Sequence, residues 1–180
     1  MGDALRRVFL SIGIALGLAE GRPDPVLYAL VFQDQGYVLI NARVEGAFVP
    51  EALELVQTGS RVALRFSAEM ASKAGGGSSA ASTRSVLYDM RASRYSVEIA
   101  EEGKSSSVID PVTATGLVSA VQGLRLCPVA DLGSGGRVSV SASVGIIDSS
   151  GSWREAPVLW NYTALKADFP FASPEEVPSR

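Results

Sequence analysis

The 180-residue chain contains no histidine. That absence removes Ser-His-Asp and Cys-His catalysis, histidine-based zinc sites and the usual proton shuttle near neutral pH. Cysteine is almost as scarce. Cys127 stands alone, so no intramolecular disulfide can form, and no cysteine lies just after the first apolar run to accept a lipid. Within Leu126-Cys127-Pro128-Val129 the thiol reads as a small buried hydrophobe. Charge is sparse as well, at 19% of residues with a net charge of −3, and the lysines Lys73, Lys104 and Lys166 lie far apart. Nucleic-acid binding rewards clustered Lys and Arg through counterion release, so nucleic acid is not an expected partner. Met70, Glu101 and Thr163 stand three residues before the lysines, which leaves no Ser-x-x-Lys dyad.

What is present begins with an address. Arg6 and Arg7 precede an uncharged run of about 12 residues from Val8 to Ala19, which Glu20-Gly21-Arg22-Pro23 breaks. A basic start, a short apolar stretch and small residues at Gly17 and Ala19 make residues 1–19 read as a secretory signal peptide. The run falls short of the ~20 residues that span a bilayer, so no transmembrane helix is expected once it is cut. Residues 1–19 hold Arg6 and Arg7 against Asp3, so the mature chain would carry about −4. Periplasmic or secreted is the expected location. About 160 residues then remain, 47% of the whole chain being apolar, enough for one domain over 20–169 with its own core.

Period-two alternation dominates that domain. Val26 to Phe32 and Tyr37 to Val44 form a hairpin through Gln33-Asp34-Gln35-Gly36. Val49-Pro50-Glu51 opens a short helix that Gly59 closes. From Arg61 to Met70, Val62, Leu64, Phe66, Ala68 and Met70 share one face, and Arg61, Arg65, Ser67 and Glu69 the other. The Gly/Ser/Ala tract 74–81 reads as a long mobile loop, followed by a strand pair over Thr83 to Met90 and Arg94 to Ile99. Asp110 caps a second helix running from Pro111 towards Gly123, with Ala114, Leu117, Val118, Val121 and Leu124 as its stripe. Arg137 to Ile147 alternates Val138, Val140, Ala142, Val144 and Ile146 against serines, and Val158 to Leu165 is the last strand. From Pro170 to the end, residues 170–180 read as a frayed, flexible C-terminal tail. The fold class is therefore mainly β, an antiparallel two-sheet sandwich (immunoglobulin-like or an open barrel) with two short helices.

Three stretches carry a resemblance. They are Pro50-Glu51-Ala52-Leu53-Glu54 running through Gly59 into Arg61, the segment from Leu87-Tyr88-Asp89 to Tyr95-Ser96-Val97, and the span from Thr113 through Pro128-Val129-Ala130-Asp131-Leu132 to Gly136. In that order the chain resembles the bacterial exported family known as domain of unknown function 4390. It departs from the family where aromatic residues often follow the third strand, since Gly75 to Ser79 stand there. The resemblance implies an envelope location and, in some genomes, neighbouring genes for two-component sensor kinases. It supplies no catalytic residues.

Candidate chemistry is thin. Glu101-Glu102 and Glu175-Glu176 are neighbours in a turn and in the tail, where carboxylates are ordinarily solvated. Asp89, Asp110, Asp131 and Asp148 sit at element ends, where Asp bonds backbone amides. Gly133-Ser134-Gly135-Gly136 precedes a strand, not the helix start that cradles phosphate. The aromatics Trp153, Trp160, Tyr162, Phe169 and Phe171 gather in the last thirty residues and either close the core or form a surface. Arg61 and Arg65, on an outward face, join Trp153, Trp160 and Tyr162 as the candidate partner surface. The reading is an exported, non-enzymatic binding or interaction module of the envelope, serving a sensor or assembly through an envelope protein partner. It calls for no cofactor and no metal. The alternatives are a carrier of a lipid-like apolar ligand and a carboxylate-based hydrolase.

Overall fold

A computed structural model describes residues 24–73, 75–160 and 163–180. Residues 1–19, read as a signal peptide, lie outside them. Strands β1 (Val26–Asp34) and β2 (Tyr37–Glu45) pair in register through Gln35 and Gly36, whose φ angles of 48° and 79° give the tight two-residue turn that suits a twisted hairpin. Helix α1 (Pro50–Gln57) follows, with Ala52 and Val56 buried one turn apart. Then β3 (Arg61–Ser72) turns back into β4 (Gly77–Asp89), which meets β5 (Arg94–Ile99) through a turn held by Asp89. Strand β6 (Lys104–Val108), helix α2 (Pro111–Val118) and strand β7 (Ala120–Pro128) come next. The chain closes with β8 (Gly136–Ile147), β9 (Trp153–Glu155) and β10 (Leu165–Phe171).

The strands form two antiparallel sheets. One has the order β1-β2-β7; the other runs β10-β8-β3-β4-β5-β6, with β9 beside β10 on the same edge of β8. Register makes the core predictable, because paired residues share a face. Phe66 stands opposite Ala142, Leu64 opposite Val144 and Met70 opposite Val138, so two alternating patterns meet on one side. Val62, Leu64, Phe66, Val138, Val140 and Val144 are all at most 1% exposed. The three-stranded sheet and both helices contribute Val38, Ile40, Val56, Ala114 and Val118 to the same cluster. This is the mainly β, two-sheet sandwich with two helices that alternation implies.

Four expectations need correction. The Gly/Ser/Ala tract is not a long loop: Gly77 to Ala81 pair with Ala71 to Ser67, and only a short turn precedes them. Small side chains satisfy a ladder as well as large ones, because the bonds are made by the backbone. The second helix stops at Val118, and the rest of its stripe, Val121 and Leu124, belongs to β7. A bulge explains the disguise. Val121 pairs with Ala42 and Leu124 with Ile40, so two residues of β7 oppose Asn41 alone, and alternation becomes a three-residue step. Gly123 takes the bulge at φ 67° and donates its N–H to Asn41 Oδ1 at 2.8 Å. Third, most of the segment expected as the last strand is not one; a 3-10 turn occupies Pro157–Leu159 and β10 begins at Leu165.

The fourth correction concerns the tail. The chain beyond β10 does not fray but is strapped across the end of β1. Gln33 holds it with three of its groups. Its N–H donates to Pro178 O at 2.7 Å, its carbonyl accepts from Arg180 N at 3.0 Å, and its Nε2 donates to Pro174 O at 2.5 Å and Val177 O at 2.7 Å. Val177, within this strap, is buried. Cys127 is buried too, and that burial, with Asp131 nearby, pushes its thiol up from the ordinary value. No helix among the described residues is long and apolar enough to cross a membrane.

Candidate functional site

Asp148 builds the first site. Its Oδ1 accepts from Ser150 N at 2.9 Å, Ser152 N at 3.0 Å and Ser150 Oγ at 2.5 Å, so one carboxylate organises the whole turn. The Ser150 hydroxyl and the Ser152 amide hold that carboxyl below the usual range, and Arg154 Nε, 3.2 Å away, adds to this. The turn returns the chain antiparallel to β8, pairing Trp153 with Ile147 and Glu155 with Gly145. Trp153 thus belongs to a short strand and not to the polar turn itself.

Register puts Trp153 on the face of the seven-stranded sheet that points away from the core. Its indole lies on Gly145: a Cβ there would stand 2.7 Å from the ring's Cζ2 and Cη2 and 2.5 Å from the Arg154 carbonyl oxygen. Only glycine admits the ring. Beside Gly145 in the same cross-strand row lie Ala63 and Ser85, 0% and 3% exposed although they face outward. Across β4, Arg61 Nη1 reaches Glu98 Oε2 at 2.6 Å, so this ion pair on β3 and β5 passes over the intervening strand between Leu87 and Ser85. Arg65, exposed and four residues along β3 from Arg61, has no ion-pair partner among the described residues.

The structure therefore gathers three of the five candidate residues. Trp153, Arg61 and Arg65 share one outer face, the first two in one row with Ile147 between them. Trp160 is a correction. It is 1% exposed, its Nε1 donates to Ala47 O at 2.8 Å, and the indole closes the core. The turn at Pro157–Leu159 redirects the chain and carries Trp160 to the opposite side from Trp153. Tyr162 lies outside the described residues. The arrangement offers an aromatic plane, a guanidinium and a polar ion pair on a firm, shallow floor.

A second concavity went unseen in the sequence. Where β1, β8 and β10 end, a cleft of about 720 Å³ is lined by Val31, Val138, Phe169, Phe171 and Val177. The docked strap is one of its walls, so treating residues 170–180 as frayed hid it. Glu175 and Glu176 stand at its lip, exposed. A shallower groove of about 640 Å³ lies across Phe171, with Lys73 and Arg137 in its lining. Of the other carboxylates named above, Asp89 Oδ1 accepts from Arg91 N at 2.9 Å in its turn, and Asp110 Oδ2 accepts from Thr113 N at 2.6 Å and caps α2, its carboxyl lowered chiefly by the Thr113 hydroxyl.

No family model, no curated protein and no solved structure matches the chain.

Proposed function

We propose that this chain is an exported, non-enzymatic binding module of the bacterial envelope, working as an accessory to a sensor or assembly through an envelope protein partner. The observation that carries the reading is the Trp153 platform. An indole packed against Gly145, in the row of the buried Ala63 and Ser85, is positioned before any partner arrives, so little entropy is lost on binding. Tryptophan and arginine at the centre of a patch are the side chains that dominate interface energetics. The signal-like residues 1–19 and the resemblance to domain of unknown function 4390 support a periplasmic or secreted location.

The test is capture from native envelope followed by mass spectrometry, comparing the wild type with Trp153→Ala and Arg65→Ala. Envelope proteins enriched by the wild type and lost with both variants, at a nearly unchanged unfolding midpoint, support the reading. A large fall in the midpoint with unchanged capture assigns Trp153 to stability and overturns it.

A second reading, a carrier of a lipid-like apolar ligand, is favoured by the cleft at the end of β10. Its volume lies within the ~300–1,000 Å³ of small-molecule sites. The ligand would lie at the rim of the sandwich, because the space between the sheets is filled by Phe66, Leu64 and Ile40.

A further inference from the structure

We infer that the rim cleft binds an apolar molecule bearing a positive charge, of the class of single-chain primary amines. This deepens the carrier reading and rests on it. The walls come from four elements of the chain. Val31 is supplied by β1, Val138 and Phe169 are directly paired on β8 and β10, and Val177 comes from the strap. Phe169 is only partly buried while Val138 beside it is fully buried, so the ring presents apolar surface that the fold leaves uncovered.

Charge selects the ligand. The lining contains two carboxylates, Glu175 and Glu176, and neither lysine nor arginine. Glu176 is positioned: its Oε2 accepts from Ala172 N at 2.7 Å, which leaves Oε1 for a second donor. An ammonium at this lip would meet the carboxylates while its chain lies against the valines and Phe169, shielded from water on one side. A carboxylate head would meet like charge there. The basic residues Lys73 and Arg137 line only the neighbouring groove, which shares Pro170, Phe171 and Glu176 with the cleft, whereas Glu175 lines the cleft alone.

The experiment is a methyl and aromatic NMR titration of the 180-residue chain at neutral pH. The probes are octylammonium, octyl glucoside and octanoate, each below its micelle concentration. Octylammonium is expected to shift Val31, Val138, Val177 and Phe169 saturably, with octanoate at least tenfold weaker and the neutral head between them. The double variant Glu175→Gln/Glu176→Gln retains a side-chain oxygen for the Ala172 amide and should fold as the wild type does. In it the octylammonium-to-octanoate ratio should fall to within about twofold. Equal binding of octanoate and octylammonium to the wild type would overturn the charge inference and leave the carrier reading standing. Absence of saturable shifts at these valines with every probe would overturn both.

Discussion

The two faces of the β3–β8 pair bury residues by opposite means. On the inner face, Phe66, Leu64, Val140 and Val144 are large and interlock with the second sheet, so their covering groups are themselves out of water. On the outer face, Ala63 is as inaccessible as Phe66, at 0% exposure each, yet it lies beside an indole that is only half-buried and near the Arg61–Glu98 pair. Low exposure alone does not identify a core. The inner face is covered by groups that are themselves buried, whereas the cover of the outer face, Trp153 and Arg61 among it, is only partly buried and stays within reach of solvent.

The sharpest way to test this contrast is to truncate one residue beneath each cover. Phe66→Ala should cost about 3–5 kcal/mol in denaturant unfolding, because a cavity remains between two sheets that cannot collapse onto it. A loss no greater than that of an outer-face variant would break the distinction. Gly145→Ala should cost about 1–3 kcal/mol by overpacking, displacing the indole and the Arg154 carbonyl. Its signature is a red-shifted fluorescence component from Trp153, with buried Trp160 still emitting at short wavelength. An unshifted spectrum would show that the ring does not rest on that glycine.

A smaller, pH-dependent effect should appear in the turn before β9. The Asp148 carboxyl is lowered in the folded chain, so its contribution is complete above the unfolded value and lost as pH falls through the folded one. Trp153 fluorescence should therefore change on acidification below the ordinary carboxylate range, ahead of global unfolding, and that early step should vanish in Asp148→Asn. The smallest effect belongs to Ser141→Ala on the outer face, within about 0.5 kcal/mol. A larger value would mean that the serine rows carry structure of their own.

Local pattern made part of this molecule legible. Strict alternation over Arg61–Met70 and Arg137–Ile147 assigned both central strands and their inward faces, because a period of two has only one buried solution. Pro50 and Gly59 bounded α1, and Asp89 and Asp110 took the backbone amides expected of them. Strand β6 escaped because Lys104-Ser105-Ser106-Ser107 has no hydrophobic period to read. Strand β7 escaped because its bulge converts alternation into helical spacing. The candidate site divided in the same way: Trp153, Arg61 and Arg65 converged on one face, while Trp160 did not, since nothing in its neighbours announced the bond to Ala47, 113 residues away.

By itself, then, the order of residues determined the class of fold and the orientation of its central strands, because those depend on side chains a few positions apart. It also determined the absence of histidine chemistry and of an intramolecular disulfide, which no folding can reverse. Only the tertiary structure decided which aromatics are surface and which are core, and it alone turned the tail into a wall. Those outcomes rest on groups such as Gln33 and Pro174, 141 residues apart, or Gly145 beneath Trp153. Such pairs carry no local signal, because the free energy that selects them exists only after the sheets have brought them together.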